Sequence, residues 1–139
     1  ESKTAALFAA ATQAGAIVAG ADARSEEAMR SFGRNLGVAF QLVDDALDYS
    51  GREQSLGKSV GDDFREGKMT LPVVYAFDRA GEPDRDFWRR TIAEGRQRPG
   101  DFERACELIA ATRALEDTFA CARRYAARAL DDLALAPQN

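Results

Sequence analysis

Acidic side chains are concentrated in one short stretch of the sequence, between Gln41 and Asp48. Asp44 and Asp48 are four residues apart, so on a helix they lie one turn apart on one face, and Asp45 flanks that face. Carboxylates at this spacing repel one another, and the repulsion grows if the helix is buried. A divalent cation removes that repulsion, and an all-oxygen site that shares its ligands with phosphate oxygens suits Mg²⁺. The stretch therefore predicts a magnesium site for a phosphate-bearing ligand.

Two lysines on glycine-flanked backbone follow the acidic stretch. Lys58 comes directly after Gly57, and Lys68 comes directly after Gly67. Their flexible ammonium groups are expected to reach a diphosphate that the aspartates and the metal already hold. The order of acidic cluster, glycines and lysines favours a binding site over a solvated acidic helix face.

The elements that must position these side chains are helices. Alanine is abundant, β-branched residues rarely cluster, and no alternation of apolar and polar residues is long enough for a strand. The first helix is predicted over 2–19 and the second from Ala23 or Ser25 to Tyr49. Glycines between 51 and 67 predict a loop or broken helix. The second helix has a core-facing stripe formed by Met29, Phe32, Leu36, Phe40, Val43 and Leu47.

The remainder of the sequence also predicts helices. One begins near Thr70, with Pro72 in its first turn, and ends at 81–83. A shorter, charged helix extends to about Glu94, and 98–100 is a turn. The pattern is helical again from Asp101 to about Leu135, with a break near Thr112. We therefore predict a single all-α domain over 1–139.

Composition excludes several kinds of function. The 139 residues contain 19 Lys and Arg against 23 Asp and Glu, and no basic block, which argues against a nucleic-acid binder. The chain has no histidine, so it lacks Ser-His, Cys-His and imidazole chemistry. Cys106 and Cys121 are too far apart for a redox pair. No stretch predicts a membrane span or a signal peptide, so we expect a cytoplasmic protein.

Four segments resemble motifs of the trans (all-E) polyprenyl diphosphate synthases. Residues 37–49, GVAFQLVDDALDY, resemble the second aspartate-rich motif of that family. Residues 57–63, GKSVGDD, and 66–72, EGKMTLP, resemble its lysine-bearing loop and EGKxTLP segment. Lys3-Thr4-Ala5 resembles its KTA motif. The order and spacing of the motifs match, and the resemblance covers roughly residues 1–80.

The resemblance implies a helical bundle of the isoprenoid synthase type and a prenyltransferase that elongates an allylic diphosphate with isopentenyl diphosphate. It implies that Asp44 binds Mg²⁺ directly, and that Asp45 and Asp48 support the metal directly or through water. It also implies that Lys3, Lys58 and Lys68 contact the allylic diphosphate and supply positive charge. By the same resemblance, Thr4 and Gln41 assist these contacts.

The chain lacks part of the family pattern. The family has two aspartate-rich motifs on facing helices, and only one is present here, because no second DDxxD precedes Asp44. We therefore expect the C-terminal portion of a synthase catalytic domain, inactive alone. The amino-acid sequence of the EGKxTLP segment favours the long-chain (octaprenyl or decaprenyl) type of synthase. The resemblance to the family also implies a homodimer.

Three other interpretations remain open from the sequence. A terpene cyclase or a head-to-head condensing synthase shares aspartate-rich helices, but fits the order of the motifs poorly. A non-catalytic partner subunit of a synthase agrees with the missing first motif, although it has little need of the aspartates and lysines. A helical domain with a solvated acidic face is the simplest interpretation.

Overall fold

The computed structural model describes residues 3–50 and 60–136, and every regular element in these ranges is helical. The helices are α1 (Lys3–Val18), α2 (Ala23–Leu47), α3 (Asp62–Arg65), α4 (Leu71–Asp78), α5 (Glu82–Trp88), α6 (Asp101–Ala111) and α7 (Ala114–Ala134). A π-helical turn, Arg89–Ala93, continues α5. The predicted all-α class is confirmed.

The helix ends agree with the signals in the sequence. Gly20 adopts a left-handed φ of 71° after α1, and Pro72 lies in the first turn of α4 as predicted. Thr112 and Arg113 separate α6 from α7 at the predicted break. The shorter helix predicted to extend to about Glu94 is present as α5, but its second half has the wider π geometry instead of ordinary helix.

The chain divides into two compact units. The first contains 1–42 and 120–139, and the second contains 43–119. Both α2 and α7 contribute residues to each unit.

In the first unit, α1 and α2 approach closely at glycines of α2. A Cβ atom on Gly33 would lie 2.4 Å from the carbonyl oxygen of Phe8, and one on Gly37 would lie 2.7 Å from the Cα of Ala5. The Thr12 hydroxyl donates a hydrogen bond of 2.6 Å to the carbonyl of Met29. Alanine-rich α1 and glycines on α2 thus allow the two backbones to meet.

The core of the second unit surrounds the end of α2. Phe64, Val73, Trp88 and Ile109 are each at most 2% exposed. The ring of Phe102 lies 6.0 Å from that of Tyr49 and 5.8 Å from that of Phe64. Helix α4 packs against α5 and α6. Tyr49, the residue after Asp48, belongs to this core, so the core holds the chain where the acidic stretch ends.

Candidate diphosphate and metal site

The three predicted metal ligands lie where α2 enters the core of the second unit. Asp44 is half-buried, while Asp45 and Asp48 are each only 8% exposed. The Asp48 N–H donates a hydrogen bond of 3.2 Å to the carbonyl of Asp44, so the helical turn continues past the last residue of α2. Asp44 and Asp48 therefore keep the one-turn relation that the sequence predicts.

The carboxylate of Asp48 accepts hydrogen bonds from backbone far along the chain. Its Oδ1 accepts the N–H of Gly61 at 3.1 Å, and its Oδ2 accepts the N–H of Asp63 at 3.0 Å. Burial raises the pKa of Asp48 above its ordinary value, and these backbone hydrogen bonds oppose that rise. Asp48 thus ties the end of α2 to the start of α3.

Gly61 meets a tight steric requirement at that contact. Its φ is 88°, in the left-handed region, and an added Cβ would lie 2.8 Å from the ring of Phe102. A residue with a side chain would therefore strain the backbone whose N–H reaches Asp48.

A helix cap of the Schellman type sets the direction of Lys68. The Lys68 N–H donates to the carbonyl of Asp63 at 2.9 Å, and the Gly67 N–H donates to that of Phe64 at 3.0 Å. Gly67 has the left-handed φ of 66° that this cap requires. The glycine of the EGK segment thus ends α3 and turns the chain so that the lysine comes next.

The Lys68 ammonium is already surrounded by acidic groups. Its Nζ lies 3.0 Å from Oδ1 of Asp63 and 2.8 Å from Oε2 of Glu66. The hydrogen bonds that the ammonium donates to the carboxylates of Glu66 and Asp63 raise the pKa of Lys68 above its ordinary value. The side chain is still 53% exposed, so a ligand in solvent can reach it.

Gln97 holds the other end of α3, and the sequence analysis did not identify it. Its Nε2 donates to the carbonyl of Phe64 at 2.6 Å and to that of Thr91 at 3.1 Å. Thr91 belongs to the π-helical turn, and the carbonyl of its neighbour Ile92 would be 3.1 Å from a Cβ on Gly67. No motif marks Gln97, because its partners are backbone atoms.

The remaining predicted site residues are Lys3, Thr4, Gln41 and Lys58. Lys3 is exposed and Thr4 half-buried in the first turn of α1, while Gln41 is half-buried in α2; all three belong to the first unit. Lys58 lies outside the residues that the structure describes. The first unit also has an open groove of about 630 Å³, lined mainly by small residues near Gly15 and Gly20, and its lining includes neither Lys3, Thr4 nor Gln41.

Within 3–50 and 60–136, no three acidic or cysteine side chains come together as a metal-binding group. The carboxylate oxygens at the end of α2 are nevertheless the ligand type that Mg²⁺ prefers.

Among the helices within 3–50 and 60–136, none is both long enough and apolar enough to cross a bilayer.

Comparison with known proteins gives a consistent result. The sequence model of the family described as "Polyprenyl synthetase" matches residues 1–109. The chain is 41% identical over 138 residues to octaprenyl diphosphate synthase of Haemophilus influenzae, covering 99% of this chain and 42% of that protein.

Solved structures agree in both sequence and fold. Polyprenyl synthase from Caulobacter crescentus, crystallised with calcium and isoprenyl diphosphate, superposes with a TM-score of 0.91 at 52% identity, over 99% of this chain and 42% of that one. A decaprenyl diphosphate synthase from Rhodobacter capsulatus superposes with a TM-score of 0.89 at 45% identity, with the same coverage.

The helical architecture and these superpositions define an all-α protein with the isoprenoid synthase fold. More particularly, the chain belongs to the polyprenyl synthetase family. It spans about 42% of the length of the relatives described above.

Proposed function

We propose that this chain supplies the diphosphate-binding part of a prenyltransferase active site, which elongates an allylic diphosphate with isopentenyl diphosphate. The observation that carries the proposal is the link between two motifs. Asp48 binds the backbone of Asp63, and the Asp63 carboxylate binds the Lys68 ammonium. The acidic stretch and the EGK lysine therefore belong to one hydrogen-bonded assembly.

Asp44 and Asp45 are the residues that we propose hold a divalent cation, with Mg²⁺ as the ion. Mg²⁺ in proteins is typically held by one or two carboxylates and completed by water and phosphate oxygens. An ion held by these carboxylates would neutralise charge on the diphosphate and so make it a better leaving group. The relative from Caulobacter crescentus was crystallised with calcium, another divalent ion that prefers oxygen ligands.

The role of Lys68 follows from where charge develops. When the allylic C–O bond breaks, both bonding electrons go to the departing diphosphate, and the carbocation is attacked by the double bond of isopentenyl diphosphate. Fixed ammonium groups stabilise the new negative charge most strongly in the transition state. We assign this role to Lys3, Lys58 and Lys68.

Two further parts of the chemistry follow from the residue types. Thr4 and Gln41 are proposed to donate neutral hydrogen bonds to the same diphosphate. The condensation releases a proton, and the departing diphosphate accepts it, so the reaction needs no histidine. The chain has no histidine.

The remaining parts of the proposal concern the whole protein. We propose a homodimeric, cytoplasmic enzyme with a long-chain product. Curated relatives of long-chain type support the last point, among them the octaprenyl diphosphate synthase of Haemophilus influenzae.

Calorimetric titration of inorganic diphosphate into the chain, with and without Mg²⁺, tests the proposal. We expect binding that requires Mg²⁺, and its loss in Asp44→Asn. Lys68→Met is expected to weaken binding about tenfold or more, the value of a charge-assisted hydrogen bond.

Asp78→Asn is the matched control. Asp78 is exposed at the end of α4, and its substitution by Asn removes the same negative charge. Binding that is equally strong without Mg²⁺, or in Asp44→Asn, would contradict the metal assignment. A solvated acidic face predicts no specific binding at all.

A further inference from the structure

The segment 61–68 is held near its start and at Phe64 by side chains from other parts of the second unit. At its start, the two oxygens of Asp48 accept the N–H groups of Gly61 and Asp63. At the far end of α3, the amide of Gln97 donates to the carbonyl of Phe64 at 2.6 Å. These contacts join residues 13, 15 and 33 positions apart in the chain.

A helix as short as α3 does not hold its own shape. It has four residues, Asp62–Arg65, and isolated helices of this length are unstable in water. The positions of its two ends must therefore come from outside. Asp48 supplies the acceptors at one end, and Gln97 supplies the donor at the other.

Asp63 and Glu66, which pair with the Lys68 ammonium, both lie within this segment. The carbonyl of Phe64 accepts from both Gln97 and Gly67, so Gln97 acts on the cap that precedes Lys68. The Asp63 carboxylate that pairs with Lys68 sits on a residue whose own N–H binds Asp48. A shift at either end changes the direction from which the ammonium meets a ligand.

We propose that Asp48 and Gln97 are positioning residues that act on ligand binding through Lys68, and that Asp48 does so in place of binding the metal. The inference rests on the proposed function for its binding readout. Gln97 lies outside the motifs that identify the family, and Asp48 takes a role different from the one its motif implies.

A double-mutant cycle separates this role from metal binding. Asp48→Asn and Gln97→Met keep the side-chain size and remove an acceptor and a donor, respectively. In an otherwise unaltered chain, each substitution is expected to weaken Mg²⁺-dependent binding of inorganic diphosphate about fivefold. This factor lies within the range of interaction energies found between neighbouring residues that are coupled. Combined with Lys68→Met, each is expected to add less than about a twofold change, because the group it positions is gone.

A metal ligand would behave differently. If Asp48 binds Mg²⁺, its substitution weakens binding by the same factor whether or not Lys68 is present, and that additive result would overturn its assignment. Additive effects of Gln97→Met would likewise overturn the assignment of Gln97. Asp78→Asn is the matched control for the charge change.

A second measurement on the same samples does not depend on diphosphate binding. The nuclear Overhauser effect between Lys68 Hε and Asp63 Hβ protons reports how close these two paired side chains are. We expect it to weaken at least twofold in Asp48→Asn and Gln97→Met, and to be unchanged in Asp78→Asn. Full intensity in both variants would overturn the proposal.

The two measurements also separate the two proposals. If the unaltered chain binds no diphosphate, the proposed function fails, while the Overhauser effect still decides whether Asp48 and Gln97 position Lys68. If Asp48→Asn does not fold, Gln97→Met carries the same test alone.

Discussion

At the scale of single residues, the ion pairs of the second unit differ greatly in solvent exposure. Arg89 and Asp86 are 47% and 71% exposed, and such surface pairs contribute little to stability. Arg90 and Asp101 are only 22% and 12% exposed and form two hydrogen bonds of 2.9 Å. Asp101 also accepts the N–H of Arg98 at 2.7 Å. This pair therefore joins the π-helical turn to the start of α6.

The pair predicts a pH-dependent stability. The hydrogen bond from Arg90 holds the pKa of Asp101 below its ordinary value. A lowered pKa stabilises the fold above the unfolded-state value of about 4, and this contribution is lost as pH falls through the folded-state pKa. Asp101→Asn is therefore expected to lower the melting temperature at pH 7, and the difference from the unaltered chain should shrink as the pH approaches about 2.

Thermal unfolding followed by far-ultraviolet circular dichroism at several pH values checks this. Asp86→Asn, at the exposed pair, is the control and is expected to have little effect. The raised pKa of Asp48 acts in the opposite direction, but it is common to all three proteins. A difference between Asp101→Asn and the unaltered chain that is the same at every pH would contradict the prediction.

Residue types predicted which groups form the candidate site, but not how they are held. The spacing of Asp44 and Asp48 predicted the shared helix face, and the lysine after Gly67 was identified from its motif. The hydrogen bonds of Asp48 to Gly61 and Asp63 were not predictable, because spacing along a chain does not tell which backbone N–H groups return to a side chain. Gln97 was missed for the same reason.

At the scale of elements, the close approach of α1 and α2 depends on the absence of a side chain at Gly33. An added Cβ would lie 2.2 Å from the hydroxyl oxygen of Thr12 and 2.4 Å from the carbonyl oxygen of Phe8. The latter is backbone and cannot move away cheaply. Gly15 on α1 has nothing within 4 Å of the corresponding position.

This difference predicts opposite effects of the same substitution. Gly33→Ala is expected to destabilise the fold by about 1–3 kcal/mol through overpacking. Gly15→Ala is expected to stabilise it by about 0.5–1 kcal/mol, because alanine is the better helix former. Urea unfolding of both variants measures the two free energies. A stabilising Gly33→Ala would show that the helices do not meet as described.

Periodicity predicted the helices well and their local geometry poorly. The terminators at Gly20, Gly81 and Gly100 marked the boundaries, because these are local signals. The predicted core-facing stripe of α2 is wrong at Leu36 and Phe40, which are 37% and 58% exposed, because α1 packs on the glycines of α2 instead. The π-helical turn at Arg89–Ala93 was predicted as ordinary helix. No periodicity in the sequence distinguishes this turn from ordinary helix, and the side chain that donates to its Thr91 carbonyl, Gln97, lies beyond the end of the turn.

At the scale of the whole molecule, α1 exposes an apolar stripe formed by Leu7, Ala11, Ala14 and Val18. These residues follow a helical spacing along one face, and all four are exposed. Leu7 is 68% exposed and Val18 is 89% exposed. Apolar surface in one continuous row favours association, whereas single exposed side chains do not.

We therefore expect the chain to self-associate. The weight-average mass from sedimentation equilibrium should rise with protein concentration, and the double variant Leu7→Gln, Val18→Gln should reduce that rise. Val74→Gln is the control, because Val74 is 42% exposed on α4 and lies outside the stripe. A monomer at every concentration tested would contradict the prediction.

The burial of Trp88 gives the chain a built-in optical reporter. It is the one tryptophan in the sequence, it is 1% exposed, and its ring lies 5.2 Å from that of Phe87 within the second unit. Its intrinsic fluorescence should therefore have a blue-shifted emission that follows the second unit alone, whereas circular dichroism follows the helices of both units. Coincident transitions by the two signals would mean that the units unfold together, and separate transitions would assign a stability to each.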